Sequence, residues 1–89
     1  MAKRGKLEII RDILNIIKEN HNSIKPTPLL RQSNISSTRF KEYFNELLKR
    51  NFIREVNHKK EKFILLTEKG FKYLEKYKTI INFIDEFEL

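Results

Sequence analysis

The sequence predicts an α+β fold, mostly helical, in which three helices, a two-stranded hairpin and a C-terminal helix share one small core. Three observations carry that expectation. Apolar residues recur at helical spacing through most of the first 50 positions and again after Thr67. Between those stretches, two short apolar runs flank a polar tip within Phe52–Leu66. The chain has only two Gly and two Pro in 89 residues, so few breakers interrupt its elements.

A first helix is expected from Lys6 to Asn20. Leu7, Ile10, Ile13, Leu14 and Ile17 recur on one face, and Glu8, Arg11, Asp12, Lys18 and Glu19 fill the other. Ile9 and Ile16 widen the stripe, so this helix needs more than one neighbour. His21-Asn22-Ser23 then breaks it. A short second helix is expected to start at Thr27-Pro28, with Thr as the cap and Pro at the first helical position. It ends at Ser33-Asn34, because Asn tolerates the left-handed backbone that stops a helix. Ile35 is a lone apolar residue in the turn, and Ser36 is a good cap for a third helix over Ser37–Arg50. There Phe40, Tyr43, Phe44, Leu47 and Leu48 make one apolar face.

Phe52–Val56 reads as a strand, Asn57–Glu61 as a five-residue polar tip, and Phe63–Leu66 as a second strand. The run Phe63-Ile64-Leu65-Leu66 is too continuous for alternation to say which side faces in. Thr67 caps a last helix that continues toward the C-terminus, with Glu68 well placed in its first turn. Gly70 in that turn costs ~1 kcal/mol against Ala, which a close approach to the body would explain. Residues 1–66 are therefore expected as the folded body and 67–89 as a separate helical segment. In that segment Tyr73, Tyr77, Ile80, Ile84 and Phe87 alternate at spacings of four and three, a heptad-like seam suited to pairing two copies. Phe71, Leu74 and Ile81 form a second stripe facing the body. The competing expectation is that the whole helix folds back on the first helix.

Composition narrows the chemistry. Zero Cys excludes a disulfide scaffold, thiolate metal ligation and thiol catalysis. The two histidines, His21 and His58, stand in no catalytic or metal-binding constellation, and neither Gly5 nor Gly70 belongs to a phosphate loop. No catalytic residue, metal or cofactor is therefore expected. No apolar run suits a membrane span. The basic start MAKRGK leads into an amphipathic stretch rather than a uniformly apolar one, so a cytoplasmic protein without a signal peptide is expected. Nineteen Lys and Arg against twelve Asp and Glu give a net charge of +7, which points to an anionic partner such as nucleic acid.

Three helices, a hairpin and a helix is the order of a winged helix-turn-helix, with its reading helix over 36–50 and its wing over 57–62. That order sends the third helix into a DNA major groove. On this helix Arg39 can read guanine and Asn45 adenine. Ser36, Ser37 and Thr38 can meet phosphate beside the helix N-terminus, and Lys41 adds charge. Arg31 on the second helix and Lys59, Lys60 and Lys62 on the wing are further candidates for the DNA backbone. The plainer alternative is that these are solvated polar faces. Glu42 is best read as a partner of Arg39, three residues earlier. Lys3, Arg4 and Lys6 read as a flexible basic arm.

The segments KLEIIRDIL, NIS, YFNELLKRNFI and LLTEKGFKYLEKY, in that order and spacing, resemble the archaeal winged-helix family of small transcription regulators and dimeric chromosomal DNA-binding proteins. The resemblance spans nearly the whole chain. It implies a non-enzymatic, chromosome-associated homodimer on double-stranded DNA, joined through an antiparallel coiled coil of C-terminal helices. Two features depart from the family. Asn51 stands where its members usually have Gly, and the last helix is shorter than in the chromosomal members, which leaves the dimer geometry open. A transcription regulator is the leading expectation. An architectural protein with little sequence preference and a protein–protein module are the alternatives.

Overall fold

The computed structural model describes residues 4–89. Its elements are α1 (Lys6–Glu19), α2 (Pro26–Ser33), α3 (Ser37–Lys49), β1 (Ile53–His58), β2 (Glu61–Leu66) and α4 (Glu68–Glu86). This is a winged helix fold: a helical body, an antiparallel two-stranded sheet and a long last helix.

Helix α1 forms the centre. Ile9, Ile10, Ile13, Leu14 and Ile17 are all buried, so its apolar stripe is wide enough to meet α2, α4 and the sheet at once. Ile24 after α1, Leu29 of α2, Phe40 and Leu47 of α3, and Ile53, Ile64 and Leu66 of the sheet complete the core. Each such side chain contributes about 1.5–3 kcal/mol on burial, an upper range because unfolded chains already bury some surface. After α1, His21 (φ 60°) and Asn22 (φ 57°) turn the chain through left-handed backbone. The Asn22 side-chain oxygen accepts the Leu66 N–H at 2.7 Å, which ties this turn to β2. Ile24 then pairs with Ile64 through N–H···O bonds of 3.1 and 2.7 Å. This one-residue third strand is too short to leave a sequence signal.

Helix α2 starts at Pro26 with Lys25 in the capping position, so Thr27 lies inside the helix and caps nothing. Proline explains the difference. Pro26 fixes a helical φ and holds Lys25 extended (ψ 153°). Asn34 ends α2 in left-handed backbone, at φ 57° and ψ 39°. Ser36 caps α3 as expected, its hydroxyl accepting the Arg39 N–H at 3.2 Å.

The hairpin is longer and its tip tighter than expected. Pairing runs from Ile53↔Leu66 to His58↔Glu61, which leaves only Lys59 and Lys60 in the turn. Both lie in left-handed backbone, at φ 49° and 66°, the geometry that matches strand twist in a two-residue turn. Sequence reading missed this because the favoured residues there are Asn and Gly. Ile53, Ile64 and Leu66 point into the core, whereas Val56, Phe63 and Leu65 are half-buried on the other face.

Thr67 caps α4 by accepting the Gly70 N–H at 3.2 Å. A Cβ on residue 70 would collide with the Phe52 carbonyl oxygen and press on Leu66, so glycine lets α4 seat closely. The next turns also seat on the body. Tyr73 packs edge-on against Phe52 with ring centroids 5.5 Å apart, and Leu74 packs on the core. Tyr77 stacks on Tyr73 beneath the Arg11 guanidinium. Beyond Tyr77 the helix still lies beside Asn15 and Lys18 of α1 as far as Ile81, but its cover thins. Ile80, Phe83 and Phe87 are 56, 54 and 58% exposed there, and the molecule reaches 49 Å in its longest dimension. Most of α4 thus runs along α1, while Ile80, Phe83 and Phe87 keep their apolar surface uncovered. Among the described residues no helix is long and apolar enough to cross a membrane.

Candidate nucleic-acid interface

Helix α3 buries Phe40 and Leu47 and half-buries Tyr43, Phe44 and Leu48. Helical spacing turns Thr38, Lys41, Glu42 and Asn45 to the opposite side, where all four are exposed. Lys49 continues the same stripe at i+4 from Asn45 and i+8 from Lys41. That spacing is legible in the sequence, and it adds Lys49 to the exposed face. Arg39 lies on the flank of the stripe, in a shallow cleft with Lys6, Glu42, Tyr43 and Glu46.

At the helix start, Ser36, Ser37 and Thr38 are exposed. The Ser36 hydroxyl takes the Arg39 N–H, and the first-turn N–H groups of Ser37 and Thr38 have no carbonyl within the helix to bond. Hydroxyls, outward N–H groups and the positive helix end therefore meet at one point, the chemistry that receives a phosphate.

The ion pairs sort the basic residues. Arg31, Arg39, Lys41, Lys59 and Lys60 form none among the described residues, and all five are exposed. Lys62 instead pairs with Glu55 at 2.9 Å on the inward face of the wing. Arg54, on β1, is exposed and without an ion pair in the same sense. It was missed because nothing in the sequence separates it from an ordinary strand residue. Arg39 and Glu42 do not pair either. The acidic partner used on α3 is Glu46, 3.3 Å from Lys6 and 3.9 Å from Arg50.

The basic arm is a correction. Lys3 lies outside the described residues, but Arg4 is anchored. Its guanidinium lies 2.8 Å from Asp12 and donates to the Ser33 and Asn34 carbonyls. Lys6 is tied to Glu46. A planar guanidinium among three acceptors is held, not floating. His21 and His58 are exposed, and no cluster of metal-binding side chains occurs among the described residues.

Of the seam residues, Tyr73 and Tyr77 are half-buried against their own body. Ile80 and Phe87 stand exposed and Ile84 is partly covered. Phe83, outside the heptad spacing, joins them through its ring, 4.8 Å from that of Phe87. The second stripe is split: Leu74 packs on the core, while Phe71 and Ile81 stay 41 and 38% exposed along a groove beside Arg11, Asn15 and Lys18 of α1.

Three solved structures share this fold. Sso10a-2, a DNA-binding protein from Sulfolobus solfataricus, superposes with a TM-score of 0.75 at 21% identity, over 96% of this chain and 86% of that one. A winged-helix DNA-binding protein from STIV gives 0.74 at 21% identity, over 89% and 91%. SSV1 F-93 gives 0.71 at 24% identity, over 99% and 95%. Comparison with curated proteins returns no match. A family model described as winged helix-turn-helix matches residues 3–85, which places this chain in the winged helix-turn-helix family.

Proposed function

We propose that this protein binds duplex DNA as a homodimer and regulates transcription. The reading rests most on one observation. The outer face and N-terminus of α3, together with the Lys59-Lys60 tip, present exposed basic side chains that no carboxylate among the described residues neutralises. In this reading α3 enters the major groove. Arg39 and Asn45 meet base edges, and Ser36, Ser37, Thr38, Lys41 and Arg31 meet the backbone. Lys59 and Lys60 grip phosphates across the minor groove. Lys62, exposed although paired with Glu55, can join them at the backbone. Two of the structural neighbours are DNA-binding proteins, which supports the same reading.

Residues 1–66 then carry DNA contact and 67–89 carry assembly. Ile80, Ile84 and Phe87, with Phe83, form the centre of the pairing surface, and Tyr73 and Tyr77 lie at its edge. A regulator of this kind acts on the chromosome in the cytoplasm and needs no catalytic residue or cofactor.

The test is a titration of the purified chain against a selected duplex and against random duplexes. Arg39→Ala is expected to cost ~1–3 kcal/mol on the selected site and to flatten discrimination there. Lys60→Ala is expected to weaken all duplexes alike. Uniform losses for both variants would favour an architectural protein over a regulator.

A further inference from the structure

Arg4 stands at the junction of three elements. One guanidinium nitrogen donates to Asp12 of α1 at 2.8 Å. The other donates to the backbone carbonyls of Ser33 and Asn34, at 3.2 and 3.1 Å. Those carbonyls belong to the end of α2 and the turn that launches α3. Carbonyls at a helix end have no donor within their own helix, and a cation there also meets the negative end of the helix dipole. Asp12 cannot readily swing away, because its second oxygen accepts from Arg11 Nε at 2.7 Å. Arg11 in turn is held over the Tyr77 ring, 5.1 Å from its centroid.

The turn has few other restraints. Asn34 is in left-handed backbone, Ile35 is only half-buried and Ser36 is exposed. The buried Ser33 hydroxyl bonds to Leu30 within α2 and the Ser36 hydroxyl to the Arg39 N–H within α3, so neither reaches across to α1.

We propose that Arg4 is a positioning residue for the reading helix: held by Asp12, it pins the carbonyls of Ser33 and Asn34 to α1 and so fixes the angle at which α3 meets DNA. The proposal rests on the DNA-binding reading. A lysine keeps the charge but offers a point rather than a planar fork, so it cannot hold the carboxylate and both carbonyls together.

The experiment uses Arg4→Lys, Arg4→Ala and Asp12→Asn in the full chain. Duplex affinity is measured over a salt series, and backbone amide exchange is measured without DNA. Both arginine variants are expected to lose about tenfold in affinity, the scale of one hydrogen bond to a charged group, with an unchanged salt slope. Asp12→Asn removes a negative charge, so the electrostatic field alone would tighten binding. The clamp requires Asp12→Asn to weaken it. In all three variants the Arg39 and Phe40 amides, which donate to Ser36 of the turn, should exchange about tenfold faster or more, the same energy scale, while amides of the sheet keep their rates.

Wild-type affinity in Arg4→Lys, with a salt slope reduced by about 0.9 in Arg4→Ala, would make Arg4 a phosphate contact and overturn the proposal. Tighter binding by Asp12→Asn would overturn it too. If the unaltered chain binds no duplex, the DNA-binding reading fails, while exchange at Arg39 and Phe40 still decides whether the clamp exists.

Discussion

The Tyr73 hydroxyl donates to the Leu7 carbonyl oxygen at 2.9 Å, joining α4 to the first turn of α1 across 66 residues of chain. Burial raises the Tyr73 pKa above its ordinary value. The neighbouring Tyr77 raises it further, and Arg11 lowers it in part. The hydroxyl must stay protonated to donate. Because its folded pKa lies above the unfolded one, its stabilisation is complete below about pH 10 and is lost as pH rises through the folded value. Urea unfolding at stepped pH should therefore show wild-type stability falling more steeply above pH 10 than that of Tyr73→Phe. At neutral pH the variant should be less stable by about 0.5–1.5 kcal/mol, the net worth of one hydrogen bond. Parallel curves for the two proteins would show that this bond does not hold α4.

Gly70→Ala reports the seating of the same helix. Helix propensity alone would favour Ala by ~1 kcal/mol. The Phe52 carbonyl blocks the added methyl, and backbone cannot rotate away as a side chain can. Net destabilisation of about 1–3 kcal/mol is expected, as for other overpacked sites, with a lower thermal midpoint by calorimetry. A rise in midpoint would mean that α4 is not held this close.

Lys59→Asn with Lys60→Gly should separate stability from binding. Left-handed backbone costs a non-glycine residue ~1–2 kcal/mol, and Asn-Gly is the preferred pair for this turn. The double variant should unfold at higher temperature yet bind DNA less tightly and with a shallower salt slope. Unchanged affinity would remove the wing from the interface.

Ile84→Asp addresses assembly. A carboxylate without a partner in an apolar seam is expensive to desolvate, so this variant should be a folded monomer with much weaker DNA binding. Light scattering and circular dichroism check mass and fold. A wild-type chain that is already monomeric at tens of micromolar, where an interface of ~8 kcal/mol would be populated, contradicts the pairing role.

The elements were legible in the sequence because the apolar spacing of α1 and α3 is regular and Ser36 and Thr67 mark two helix starts. Gly70 in a helix already signalled a close approach. What stayed hidden depends on contacts between distant residues. Ile24 joins the sheet through a single pairing with Ile64. The Lys59-Lys60 turn follows from strand register rather than residue preference. Tyr73 and Tyr77 fit a heptad equally well whether they face a second copy or Leu7 and Arg11. The outer face of α3 was readable from period alone, but which cations stay without a carboxylate was not. Lys62 and Glu55 lie seven residues apart across the hairpin, and Arg4 reaches its carbonyl partners only through the fold.

The most direct test of the account is the salt dependence of duplex binding. If Arg31, Arg39, Lys41, Lys59 and Lys60 meet DNA, each phosphate they neutralise adds roughly 0.9 to the slope of log affinity against log salt, doubled in a dimer. Fluorescence anisotropy of a labelled duplex between low and physiological salt should show a steep linear fall. Lys59→Ala with Lys60→Ala should reduce the slope by about two phosphates per protomer. Binding that is absent, or that does not change with salt, would contradict the assignment of this face to DNA.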